Sequence, residues 1–356
     1  MIPALHSEGQ IQAEVNGCLG LITLNRPQAL NALSLAMIRD MTALLDAWAA
    51  DPAIQAVVVL GQGREGKPAA FCAGGDIRFF HAAALANDPA LDEFFTAEYA
   101  LNYLIHSYPK AYIALMDGVV MGGGMGISQG ARLRVVSEHS KLAMPETMIG
   151  LFPDVGGGWF MGQTPGHAGE FLALTGQALG AGDAIELGLA DVFVPSGEWP
   201  AMIEALRHGA QDSAEHVVAT VMQLSEVAAE GPIVPQLAKI DEHFDKPDVA
   251  AILASLGDHE WAAAIAKRSP LMLAVSLEQV RRARSMSLAE ELRMERDMMW
   301  HCFHGPHGDA VEGIRALAVD KDHEPKWNFA AATPANVQAF FKSPWTAAEH
   351  PLKALA

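Results

Sequence analysis

The chain has 356 residues, 51% of them hydrophobic and 19% charged, with 32 glycines and 20 prolines spread along it. This composition excludes disordered, collagenous and coiled-coil classes and describes a globular protein with room for a sizeable core. Asp and Glu number 42 against 24 Lys and Arg, a net charge of −18 that repels phosphate backbones and anionic lipid, so neither nucleic acid nor membrane is an expected partner.

Alternating apolar residues over 11–15 and the run 20–24, closed by Asn25, Arg26 and Pro27, predict a strand pair joined across Asn16-Gly17. Ser34 can N-cap a helix whose apolar positions Leu35, Ile38, Met41, Leu44, Leu45 and Trp48 recur at helical period, ending near Asp51-Pro52. Residues 54–60 are a short apolar run suited to a buried strand. A helix over 92–107 and apolar strands over 112–116 and 133–136 continue the alternation, which predicts mixed α/β architecture. Beyond about Pro195 the texture becomes Ala, Leu, Glu, Met and Arg at helical spacing, punctuated by Pro232, Pro235, Pro247 and Pro270. A soft boundary near residue 200 therefore separates a core, 1–200, from a helical region, 201–356. Residues 309–327 predict a helix plus a docked loop, and a last helical pattern lies at 337–341.

Cys18, Cys72 and Cys302 are few and far apart, which fits a reducing compartment better than a disulfide framework. The first ten residues lack a cationic start followed by an apolar run, and no apolar stretch approaches bilayer length, so the expected location is the cytoplasm. Gly61, Gly63 and Gly66 satisfy a dinucleotide-binding pattern, but Pro68 sits where its helix must run, and a strand-end loop is the better reading. His301, Cys302, His304 and His307 resemble metal ligands; Gly305-Pro306 breaks any shared helix face, so no metal site is expected.

Three glycine-rich segments carry the chemistry. Phe71-Cys72-Ala73-Gly74-Gly75-Asp76-Ile77 and Met121-Gly122-Gly123-Gly124-Met125-Gly126 look like loops feeding helix starts. Such places expose backbone N–H groups that no helical carbonyl satisfies, and two of them converging would make an oxyanion hole; the bland alternative is tight glycine packing. The third segment, residues 144–158, holds Glu146 and Asp154 in otherwise apolar surroundings with no Lys or Arg beside them. Desolvation there raises a carboxyl pKa and suits acid or base work at neutral pH, whereas helix-start and helix-cap roles are the structural alternatives.

In this order and spacing the three segments resemble the enoyl-CoA hydratase/isomerase (crotonase) superfamily. Pro145-Glu146-Thr147 and the run from Phe152 to Gly158, together with Glu312-Gly313-Ile314-Arg315-Ala316, Asp320-Lys321-Asp322 and Pro325-Lys326-Trp327, are similar to the 3-hydroxyisobutyryl-CoA hydrolase branch. The resemblance runs from Leu24-Asn25-Arg26-Pro27 and Asn31-Ala32-Leu33 to Trp327. It implies an α/β fold, a crotonase-like ββα spiral, with a helical C-terminal region covering the active site.

By position, the resemblance implies an oxyanion hole at the amides of Gly75 and Gly123, the principal catalytic acid at Glu146, a second at Asp154, and a substrate contact at Glu98. CoA contacts would fall on Arg26, Ala73, Gly75, Asp76 and Ile77. Hydratases carry a catalytic Glu where this chain has Gly126, and Gly where it has Asp154. That exchange favours acyl transfer to water over water addition, with a short-chain 3-hydroxyacyl-CoA thioester as substrate and neither cofactor nor metal required. Glu146 is open as nucleophile or general base. The competing readings are an enoyl-CoA hydratase or isomerase using Glu146 alone, and a non-catalytic acyl-CoA-binding protein; a homo-oligomer is left open.

Overall fold

The computed structural model describes residues 1–64, 70–209, 212–306 and 308–356. The Gly66 and Pro68 positions of the dinucleotide-like pattern, and His307 of the histidine cluster, lie outside the described residues. The chain folds as two compact units, Met1–Gly75, Leu101–Leu142 and Ala178–Val234 in the first, Asp76–Ala100, Ala143–Gln177 and Pro235–Ala356 in the second.

In the first unit Ile11–Asn16 and Leu19–Leu24 form the expected antiparallel hairpin. Its turn falls on Gly17 and Cys18, one step later than expected, because Asn16 still pairs with Leu19 and Gly17 supplies a left-handed φ of 55°. Ala56–Gly61, Ala111–Met116, Leu133–Val136 and Val192–Phe193 add in that order, all parallel, to complete a six-stranded sheet. Covered on both faces, the central strands read as unbroken apolar runs instead of alternating ones.

One side of this core joins Val58, Ile113 and Val135 to Trp199, Met202, Leu206, Val217 and Val221, from helices Trp199–His208 and Ala214–Met222. Helix Leu35–Ala50 brings Trp48 against Gly20 so closely that a Cβ there would run into the indole ring. Ser34 caps this helix as expected, its Oγ accepting from the Met37 N–H at 3.3 Å. Two short parallel strands, Ala70–Cys72 and Val119–Met121, each lead directly into a glycine loop.

The second unit is helical, and its core helix Pro270–Ala283 packs on Gly157–Gly162 and Ala168–Thr175. Helix Leu288–His304 starts with a capping box in which Ser287 and Glu290 satisfy each other's backbone N–H groups. Phe80 meets Phe94 edge to face at 4.7 Å, and Phe95 meets Phe303 at 5.7 Å and Tyr99 at 6.3 Å, an apolar cluster. The helix-plus-loop expected over 309–327 is present: Ala310–Ile314 continues as a π-helical turn, Arg315–Val319. Arg315 then ties the following loop by pairing with Glu312, Asp320 and Asp322 at 2.9, 2.7 and 2.6 Å.

Candidate active site

The two glycine loops of the first unit are built from short strands that end where small residues begin. Ala73 N–H donates to Leu30 O at 3.0 Å and Leu33 N–H to Gly74 O at 2.8 Å, which fixes the first loop. Gly74 has φ 103°, a conformation that L side chains rarely adopt. The second loop turns at Gly122 and opens helix Gly123–Gln129. The loops meet: a Cβ on Gly74 would stand 3.4 Å from Met121 O and 3.7 Å from Gly123 N, and one on Gly124 would collide with the Cys72 carbonyl.

No hydrogen bond from the Gly75 or Gly123 amide to another group of the chain is found among the described residues. Two adjacent loops thus carry N–H groups able to bind an anionic oxygen. Gly126, three residues into the helix, is buried. Of the expected CoA contacts, Arg26 donates from Nη1 to Ala32 O at 3.0 Å, and Ala73 is spent on Leu30 as above. Asp76 caps helix Ile77–Ala86 by accepting from Phe79 N–H at 3.3 Å, and Ile77 is that helix's first residue.

In the second unit Glu98, Glu146 and Asp154 are 2%, 7% and 6% exposed and act on one another electrostatically. Glu98 and Tyr99 lie on helix Ala90–His106, while Glu146 opens the 3-10 turn Glu146–Ile149. Asp154 follows Pro153 just before helix Gly157–Gly162, whose N-cap position is held by Gly156. Its carboxylate is therefore not a helix cap; it accepts from the Tyr99 hydroxyl at 2.8 Å. Glu98 Oε1 and Glu146 Oε2 are buried without a hydrogen-bond partner among the described residues, the state of groups able to hydrogen-bond a ligand.

Burial, the dominant cause, drives all three carboxyls upward. Glu98 is raised further by Asp154 and Glu146, and Glu146 by Asp154. Asp154 is pushed up to about 7 by burial, with the Tyr99 hydrogen bond opposing. A cation works against the trend at Glu146: Arg268, 6% exposed, donates to Thr147 Oγ1 at 2.9 Å and to the Thr175 carbonyl, and its charge lowers Glu146. The site can thus hold protonated carboxyls at neutral pH, the condition for general acid chemistry.

Sequence reasoning missed the Tyr99 hydroxyl, Arg268, and two buried carboxyls, Glu291 and Glu295. The last two had a signal: in the stripe Leu288, Glu291, Leu292, Glu295, Met299, Cys302, charge occupies positions that helical period assigns to the core. The other residues of the histidine cluster find ordinary partners, His301 with Lys342 O at 2.7 Å and His304 with Asp92 at 2.8 Å, while Cys302 is buried.

The profile of the enoyl-CoA hydratase/isomerase family matches residues 19–341. The chain belongs to this family. Its relatives in it include 3-hydroxyisobutyryl-CoA hydrolase, mitochondrial, of Xenopus tropicalis, 41% identical over 332 residues that cover 90% of this chain and 85% of that protein. The Homo sapiens protein of the same name is 39% identical over 330 residues, 89% of this chain and 84% of its own. Among solved structures, a carnitinyl-CoA dehydratase from Mycobacterium thermoresistibile superposes with a TM-score of 0.85 at 38% identity, covering 94% of this chain and 96% of its own. An enoyl-CoA hydratase from Rhodobacter sphaeroides 2.4.1 gives 0.84 at 37%, covering 94% and 98%. The fold is that of the family, an α/β crotonase-like ββα arrangement with a helical C-terminal region. Among the described residues no helix is long and apolar enough to cross a membrane.

Proposed function

We propose that the chain hydrolyses a short 3-hydroxyacyl-CoA thioester, converting 3-hydroxyisobutyryl-CoA to 3-hydroxyisobutyrate and CoA as in valine breakdown. The observation that carries this reading is the buried pair of acids, Glu146 and Asp154, with Asp154 held by Tyr99. Gly126 supplies no carboxylate on the helix where a hydratase would need its second glutamate. The names of the relatives at about 40% identity support the same reaction.

In the proposed mechanism the Gly75 and Gly123 amides polarise the thioester carbonyl. Glu146 then attacks the carbonyl carbon to give a mixed anhydride, or removes a proton from the attacking water. Asp154 and Glu98 hold the substrate hydroxyl or the water, and Asp154 gives its proton to the departing CoA sulfur. The C–S bond breaks, the acyl carbon gains the oxygen of water, and the sulfur gains a proton, so the reaction closes without a redox cofactor or metal. Arg26, Ala73, Gly75, Asp76 and Ile77 are the proposed CoA contacts. The helical region 201–356 is proposed to cover the site, as the family resemblance implies.

A second reading, hydration or dehydration of an enoyl-CoA, is favoured by the similarity to the dehydratase and the hydratase of known structure above. A CoA-release assay with 3-hydroxyisobutyryl, 3-hydroxypropionyl and crotonyl thioesters separates the readings. Free thiol from the hydroxyacyl substrates supports hydrolysis; loss of the crotonyl double bond without thiol release supports hydration, and turnover of neither class supports a non-catalytic acyl-CoA binder. Residence in the cytoplasm is proposed from three free, buried cysteines, against relatives whose names carry the word mitochondrial; fractionation of cells decides it. A homo-oligomer is likewise a proposal, to be tested by light scattering.

A further inference from the structure

Beneath Asp154 lies a second pair of carboxyls that the proposed reaction does not use. Glu291 and Glu295, one turn apart on helix Leu288–His304, are both 0% exposed and interact with each other, and Glu291 Oε2 has no hydrogen-bond donor among the described residues. Among the described residues neither forms an ion pair with Lys, Arg or His. Two buried carboxyls in contact without a cation cannot both ionise, so they share a proton.

Their remaining oxygens hold the turn that carries Asp154. Glu295 Oε2 accepts from Gly156 N–H at 2.8 Å, and Oε1 from Gly158 N–H at 3.4 Å. Glu291 accepts from the Gly158 and Trp159 amides. Gln279 completes the clamp, donating from Nε2 to Pro153 O at 2.8 Å and to Glu295 Oε1 at 2.9 Å, so the backbone is gripped on both sides of Asp154. The grip has strain to hold: Val155, next to Asp154, sits at φ 58°, a region costly for a β-branched residue.

We propose that Glu291 and Glu295 are positioning residues for Asp154, a carboxyl pair that ties down residues 153–158 and places one negative charge behind the Asp154 side chain, keeping it protonated for delivery to the departing thiolate. The proposal rests on the hydrolase reading above. Tyr99 on helix Ala90–His106 and Glu291 on helix Leu288–His304 act on Asp154, which in turn raises Glu98, Glu146 on its 3-10 turn, Glu295 and Cys302. The Tyr99 hydroxyl and the backbone amide of Asp154 itself favour the ionised form. The carboxyls favour the protonated one, and burial pushes Glu291 itself up to about 7.

The test is the pH profile of kcat/KM for CoA release in Glu291→Gln/Glu295→Gln, which keeps one acceptor oxygen on each side chain but removes the charge. The proposal expects the alkaline limb to move down by about one pH unit, with kcat at pH 8 reduced roughly tenfold and KM within about twofold. An unmoved limb, or a loss confined to KM, overturns it. Wild-type protein carrying ¹³Cδ-labelled glutamate supplies a measurement that needs no variant to fold. One of the two buried carboxyls must stay protonated above pH 7, and both ionising together in the ordinary glutamate range overturns the proposal. Should no hydroxyacyl thioester release CoA, the reaction reading falls, while the NMR titration still decides the shared proton.

Discussion

The Tyr99 hydroxyl donates a 2.8 Å hydrogen bond to Asp154 Oδ2, and both groups are buried. The bond favours the ionised carboxylate and so opposes the rise that burial imposes. Tyr99→Phe is therefore expected to raise the Asp154 pKa and move the alkaline limb of kcat/KM upward, opposite in sign to the carboxyl-pair variant. The hydrogen bond is worth about 1.5–3 kcal/mol to a charged partner, so a shift on the order of one pH unit is expected from rate profiles. A downward shift would show that the tyrosine does not bond the carboxylate.

Glu146 is buried with Oε2 unpartnered among the described residues, and Glu146→Gln preserves its shape while removing its basicity and nucleophilicity. CoA release is expected to fall by roughly 10²–10⁴ while an unreactive acyl-CoA analogue binds as before, measured by stopped assay and calorimetry. Near-normal hydrolysis would remove Glu146 from the reaction.

Gly124 faces the Cys72 carbonyl so closely that a Cβ has no room, and both partners are backbone. Gly124→Ala is expected to push the two loops apart, misplacing the Gly123 amide beside it. The expected outcome is a loss of about 10²–10³ in kcat, with stability lowered by about 1–3 kcal/mol in denaturant melts. Full activity in a folded variant would contradict the assignment of that amide as an oxyanion donor.

Arg268 spans Thr147 and the Thr175 carbonyl behind Glu146. Arg268→Met leaves the carbonyl unpaired and removes the cation that lowers Glu146. A loss of about 2–5 kcal/mol in stability is expected, together with a Glu146 that ionises at higher pH and an acid limb displaced upward. Calorimetry and the rate profile read the two effects separately.

Glu98, Glu146, Asp154, Glu291 and Glu295 all have pKa values raised by burial in the folded chain. A carboxyl raised in this way binds its proton more tightly when folded. Its contribution to stability is complete below the unfolded value of ~4 and is lost as pH climbs through the folded value, about 7 for Asp154 and for Glu291. The melting temperature is therefore expected to fall from pH ~5 to pH ~8. A flat or rising Tm over that range would mean the acids are ionised in the folded protein.

Features of local or periodic origin were legible in the residues themselves. The hairpin over residues 11–24, the Ser34 cap and the buried strands follow from alternation, capping chemistry and apolar runs, and each was found within a residue or two of its expected place. Glycine runs likewise marked the two loops, where a Cβ on Gly124 would collide with the Cys72 carbonyl, while the choice of Gly75 and Gly123 as donors came from the family resemblance. The surroundings of the acids became visible only in the folded chain. Tyr99 and Asp154 are 55 residues apart, and Gly156 and Glu295 are 139 apart. A carboxyl's ionisation depends on the dielectric and charges within a few ångströms of it, and packing alone assembles those neighbours.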